Sequence, residues 1–193
     1  MPLPENFKWI DTIGELPKMV TEGIKLLGIK EIPGAHSNPE ILKFADEIGV
    51  RDIYKNDDTS WCAVAHYAVC LRAGKAIDIG KKDKYDKLRA KSFAQLGSSV
   101  NADTWRVIDR KEAMLGDTLV FVRPGGYHVG MYIGESPTHF IVMGGNQSNM
   151  YSITRIAKER LFAVRRPKYN AMPVSVKKYF LSNAGTPVTT NEA

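Results

Sequence analysis

Asn56-Asp57-Asp58-Thr59-Ser60-Trp61-Cys62-Ala63-Val64-Ala65-His66-Tyr67-Ala68-Val69-Cys70 reads as a polar loop running into an apolar helix, with a cysteine in the first turn. Asp58, Thr59 and Ser60 all suit an N-cap, and Ala63, Val64, Ala65, Ala68 and Val69 are small and apolar. A thiol at this point faces unpaired backbone N–H groups and the positive end of the helix dipole. Both favour thiolate, so the expectation is a pKa below the ~8.5 of free cysteine. Cys62 is therefore a candidate nucleophile, weighed against the plainer reading of a small buried hydrophobe. Cys70 lies two turns on, roughly 12 Å away along the helix, beyond disulfide reach, and reads as core.

Upstream, Lys18 to Leu27 has helical spacing at Met19, Val20, Ile24 and Leu27, and Gly28 stops it. After the Pro-Gly loop at Pro33-Gly34, a second helix starts at Asn38 as N-cap with Pro39 first, and carries Ile41, Leu42, Phe44, Ala45 and Ile48. Residues 75–100 are mixed and charged, without a dominant period. Downstream of Gly116-Asp117 come short β-branched and aromatic runs at Thr118–Val122, Tyr127–Gly134, His139–Met143, Tyr151–Thr154 and Leu161–Arg165. Gly- and Pro-rich turns join them, as in an antiparallel meander. Helices first and strands afterwards give an α+β fold, with N-terminal helices packed on an antiparallel sheet. The expected organisation is an N-terminal extension over 1–17, one catalytic domain over 18–168, and a short helix (173–182) and mobile tail within 169–193.

The 193 residues suffice for one genuine core. Apolar residues make up 44% and charged residues 25%, the balance of a globular protein, and no apolar run reaches the about eighteen residues of a membrane span. The start, Met1-Pro2-Leu3-Pro4-Glu5-Asn6-Phe7-Lys8, lacks a basic and then apolar signal, so synthesis in the cytoplasm without a signal peptide is expected. A net charge of +6 suits an anionic partner. The densest basic group, Lys81 to Lys91, is interleaved with Asp83 and Asp86. It reads as a solvated face, with no aromatic-basic motif for nucleic acid. No CxxC pair, HExxH or calcium-type acidic loop is present, so neither metal nor cofactor is expected.

Acyl transfer by a thiol needs a base and a group that fixes the base's tautomer. His66, one turn beyond Cys62 on the same face, leaves little room for substrate between sulfur and ring. His128 opens a strand after Pro124-Gly125-Gly126-Tyr127 and is the better base. Val129, Met131 and Ile133 are expected on one face of that strand, with His128, Gly130 and Tyr132 on the other. Gly130 and Gly144-Gly145 would let the Cys62 helix approach the sheet. Asn146, at the end of the next strand, is the candidate to orient the imidazole, with Gln147 and Asp117 as rivals; Gly-Gly-Asn is also turn chemistry by itself. The backbone N–H of Cys62 would meet the oxyanion. Trp61, read either as a groove wall or as a buried staple, joins Asp58, Tyr127 and Gln147 as candidate substrate contacts.

Taken in order, Gly28-Ile29-Lys30-Glu31-Ile32-Pro33-Gly34, Asn38-Pro39, Asp57-Asp58-Thr59-Ser60-Trp61-Cys62-Ala63, Gly116-Asp117, Tyr127-His128-Val129-Gly130-Met131-Tyr132-Ile133-Gly134 and Gly144-Gly145-Asn146-Gln147-Ser148 resemble the NlpC and CHAP cell-wall peptidases. The likeness is to the phage endolysin and tail-lysin subgroup in particular, over roughly residues 20–167. The resemblance implies a papain-like fold, Cys62 as nucleophile, His128 as base and hydrolysis of amide bonds in bacterial peptidoglycan. The third polar residue varies among these families, so the resemblance leaves Asn146 open. An expected role in host-cell lysis, as a monomer acting on the wall after release, goes with it. The alternatives are an N-acetylmuramoyl-L-alanine amidase, an antibacterial effector with the same site, and a non-catalytic wall-binding virion component.

Overall fold

The computed structural model describes residues 2–34, 36–182 and 185–187. Three helices, α1 (Lys18–Ile24), α2 (Pro39–Glu47) and α3 (Cys62–Arg72), precede a six-stranded antiparallel sheet. Its strands are β1 (Trp105–Ile108), β2 (Thr118–Arg123), β3 (Gly126–Glu135), β4 (His139–Gly144), β5 (Ser152–Ala157) and β6 (Leu161–Pro167). The fold is α+β, helices first. No helix among the described residues is long and apolar enough to cross a membrane.

The start of α2 follows from its sequence: Asn38 accepts the Glu40 N–H at 2.9 Å, and Pro39 supplies a pre-set first turn. The start of α3 differs from expectation. Its N-cap is Trp61, with no side-chain cap, and Asp58, Thr59 and Ser60 lie outside the helix. Their hydroxyls are committed elsewhere: Thr59 Oγ1 donates to Asn56 Oδ1 at 3.0 Å, and Ser60 Oγ accepts from Arg123 at 3.1 Å. The first-turn N–H groups of α3 are thus left without a capping side chain.

Strand order is β1-β6-β2-β3-β4-β5. The expected meander covers β2 to β5, whereas β6 returns to pair with β2, and β1, which the sequence pattern did not reveal, pairs with β6. Both faces of the sheet are buried. On the helix side, Val120, Val129, Met131, Ile133 and Met143 pack with Ala63, Val64 and Ala68 of α3. On the other side, Leu119, Phe121, Tyr132, Phe140, Val142 and Val164 form a second cluster. From Cys62 to Cys70 every residue of α3 is buried, so it is a core helix rather than an amphipathic one.

Of the two expected points of close approach, only one serves the helix. A Cβ on Gly145 would lie 2.6 Å from the Trp61 ring and 3.0 Å from Ala65 Cβ, so α3 meets the sheet there. A Cβ on Gly130 would instead lie 2.5 Å from Val142 Cγ1, so that glycine makes room for the neighbouring strand.

Residues 84–95 form two 3-10 segments, Lys84–Leu88 and Ala90–Gln95. The helix expected over 173–182 is not formed. The Glu135 N–H donates to Tyr179 O and the Leu181 N–H to Glu135 O, both at 2.8 Å, which lays this segment beside the end of β3. Backbone groups used in that pairing are unavailable to a helix. Leu3, Phe7 and Ile10 from the N-terminal segment and Tyr179 and Leu181 from the C-terminal one enter the same core as α3. The expected tail lies mostly outside the described residues.

Candidate active site

The loop before Cys62 is held from behind. Asp57, buried, accepts the N–H groups of Asn38 at 2.8 Å and Ile32 at 3.2 Å through one carboxylate oxygen. Tyr54, also buried, donates its hydroxyl to Thr59 O at 3.0 Å. Trp61 donates Nε1–H to Glu31 at 2.7 Å and stacks near Phe44. Trp61 is fully buried, so it braces the helix start and does not line a groove. Asp58 is exposed on the loop surface.

Packing of α3 against β3 brings the sulfur to the His128–Val129 peptide. The backbone N–H groups of Val129, Ala63 and Cys62 itself all point at the sulfur, and the Arg123 charge acts on it as well. Burial nevertheless dominates and pushes the Cys62 thiol up, opposite to the expectation from the helix start. Cys62 and His128 are only 4% and 6% exposed, so desolvation outweighs the dipole. The thiol rests protonated.

His128 is fixed by Gln147 rather than by Asn146. Its Nε2 lies 3.2 Å from Gln147 Oε1. The Gln147 amide nitrogen donates to Ser152 O at 2.6 Å and to Val142 O at 3.3 Å. Carbonyl oxygens only accept, so the amide orientation is forced, and Oε1 must accept from the imidazole. His128 therefore carries its proton on Nε2 and leaves Nδ1 as the free base nitrogen. Desolvation, helped by the charges of Arg123 and Arg160 and opposed by the Gln147 hydrogen bond, lowers the His128 pKa to about 4. Sulfur and imidazole make no direct hydrogen bond: the sulfur meets the Val129 N–H, next in the chain to His128, and the ring meets Gln147.

Asn146 sits in the left-handed region at φ 56° and donates to Glu31 at 3.2 Å, which is the turn role weighed for it. Asp117 is out of reach as well: it forms a buried ion pair with Arg166 at 2.7 and 2.8 Å. His66 turns from Cys62 to Thr118, with Nε2 2.8 Å from Oγ1 and the ring edge-on to Phe93. Desolvation lowers its pKa to about 3, so it rests as a neutral core histidine turned away from Cys62. Tyr127 is half-buried, and its ring meets Phe162 at 5.2 Å.

Arg123, unnoticed in the sequence, joins the two halves of the site. It donates to Tyr127 O at 3.2 Å and to Ser60 Oγ at 3.1 Å, spanning from the β3 hairpin to the loop before Cys62. Its place at the end of β2, one residue before Pro124-Gly125-Gly126, was the available signal, but only packing reveals what lies opposite. Among the described residues, no group of three or more His, Cys, Asp or Glu side chains is placed to hold a metal ion. Compared with known proteins, the chain matches no family model, no curated protein and no solved structure.

Proposed function

We propose that this chain is a papain-like cysteine peptidase or amidase that hydrolyses amide bonds of bacterial peptidoglycan. The observation that carries the reading is the forced tautomer of His128, whose Nδ1 is left free, one residue before the Val129 N–H that meets the Cys62 sulfur. The ordered motifs resembling cell-wall peptidases support the substrate class.

In this reading Nδ1 takes the thiol proton as the sulfur attacks the scissile carbonyl, and the N–H groups at the start of α3 receive the developing oxyanion. The imidazolium then protonates the leaving amine, which departs and leaves a thioester. Water, deprotonated by the same nitrogen, releases the acid and restores the thiol. Because both groups rest neutral, proton transfer accompanies attack instead of preceding it.

The deep burial of both groups and the lack of a direct sulfur–imidazole hydrogen bond favour a second reading, a wall-binding protein that keeps the fold without turnover. Isolated sacculi distinguish the two. Wild type is expected to clear them and release new amino termini, whereas Cys62→Ala and Cys62→Ser are expected to lose at least 10³-fold, on the order of what removal of a nucleophile costs elsewhere. Equal clearing by all three proteins overturns the nucleophile assignment.

A further inference from the structure

A groove of about 810 Å³ runs between the Ala90–Gln95 segment and strands β1 and β6, with Lys91, Arg110, Phe162 and Arg165 on its walls. Two of its side chains touch the ring of Tyr127, the residue before His128. Lys91 Nζ stands 5.2 Å from the Tyr127 ring, Phe162 packs edge-on to the same ring, and Tyr127 precedes His128 in the chain.

The charge in this groove is unbalanced. Arg89 at its rim is neutralised by Asp83 and Asp86, at 3.0 and 2.8 Å. Asp109 accepts the Lys111 N–H at 2.8 Å and keeps its charge, but Lys91, Arg110 and Arg165 outnumber it. Arg165, half-buried, donates only to carbonyl oxygens, those of Ala94 and Val164, and forms no ion pair among the described residues. Burial alone lowers its pKa, with no acid to offset the desolvation. A desolvated guanidinium without a counter-charge is costly to keep, and an anion in the groove would offset that cost.

Building on the peptidase reading, we propose that this groove is a subsite for a carboxylate-bearing peptide arm of the substrate, held by Lys91 and Arg165 and flanked by Phe162, as the chain passes Tyr127 to the sulfur. Lys91 and Phe162 are exposed, so they can be changed without disturbing the core.

The test is made on the Cys62→Ala full chain, so that binding needs no turnover. Soluble wall fragments, released from sacculi by cutting the glycan, are titrated calorimetrically with their carboxylates free or converted to amides. Free carboxylates are expected to bind at least tenfold more tightly than amides. Lys91→Glu is expected to erase that difference, and Arg165→Gln, checked for an unchanged circular dichroism spectrum, to reduce it. Equal binding of both forms, no binding of either, indifference to Lys91→Glu, or equal competition by inorganic phosphate each overturns the subsite. If wild type cleaves sacculi while any of these holds, the peptidase reading survives without the groove. Carboxylate- and Lys91-dependent binding without cleavage by wild type leaves the groove and removes the peptidase.

Discussion

Gln147 settles the chemistry of its neighbour because it is saturated. With its amide hydrogens committed to Ser152 O and Val142 O, it has only an acceptor left for His128. If the chain is the proposed peptidase, Gln147→Ala should lower kcat by about 10²-fold while leaving KM nearly unchanged, the pattern of a residue that orients a base without touching substrate. Gln147→Glu should bias the ring toward imidazolium and move the acid limb of the pH–rate profile upward. A Gln147→Ala enzyme with full kcat would show that the tautomer is set by something else. The thiol carries a second expectation. Since burial raises its pKa, Cys62 should react slowly with iodoacetamide at pH 7 and faster as pH rises, while Cys70, fully enclosed and likewise raised by burial, should lag behind it throughout. Rapid labelling of Cys62 at pH 6 would contradict a resting thiol.

At the scale of elements, the register between α3 and the sheet decides whether Cys62 and His128 share one site. That register is held where Trp61 and Ala65 close on Gly145. Gly145→Ala would push a methyl group into the Trp61 ring and Ala65, costing about 1–3 kcal/mol as an overpacked core does. Thermal unfolding should show the loss. Activity should fall more than stability alone explains, because the ring anchors the start of the helix that carries Cys62. An unchanged melting temperature would mean that the helix can retreat freely. The bracing of Trp61 by Glu31, and of Glu31 by Asn146, ties three separate loops to this one contact.

For the whole molecule, burial of two neutral histidines makes stability depend on pH. His66 and His128 have folded-state pKa values of about 3 and about 4, below the ordinary 6.5, chiefly through desolvation. Below pH ~6.5 the unfolded chain binds protons that the folded chain refuses, so stability falls with pH until the folded values are reached. At pH ~4.5 the loss should be roughly 2 kcal/mol for each histidine, measured by urea unfolding against pH 7. His66→Gln, which keeps a partner for Thr118, should remove about half of that acid loss; an identical loss in the variant would assign it to other groups. The Asp117–Arg166 pair joins β6 to the start of the strand before β3 and so helps to fix the sheet that presents His128.

Local chemistry was enough for several features of this protein. Asn38-Pro39 wrote the start of α2, the β-branched runs after Gly116 wrote β2 to β6, and the alternation in β3 set which side chains face the helices. A cysteine at a loop-to-helix junction and a histidine at a strand start were visible as candidates for the same reason. What no local pattern carried was the balance of long-range contacts. The choice of Gln147 over Asn146 depended on which amide met two carbonyls from separate strands. The direction of the Cys62 shift depended on how completely α3 was enclosed, since a helix dipole acts from within the chain while desolvation is imposed by everything packed around it. Trp61 became a brace and Arg123 a bridge for the same reason: Glu31 and Ser60 lie tens of residues from them, and only the folded sheet brings them within reach.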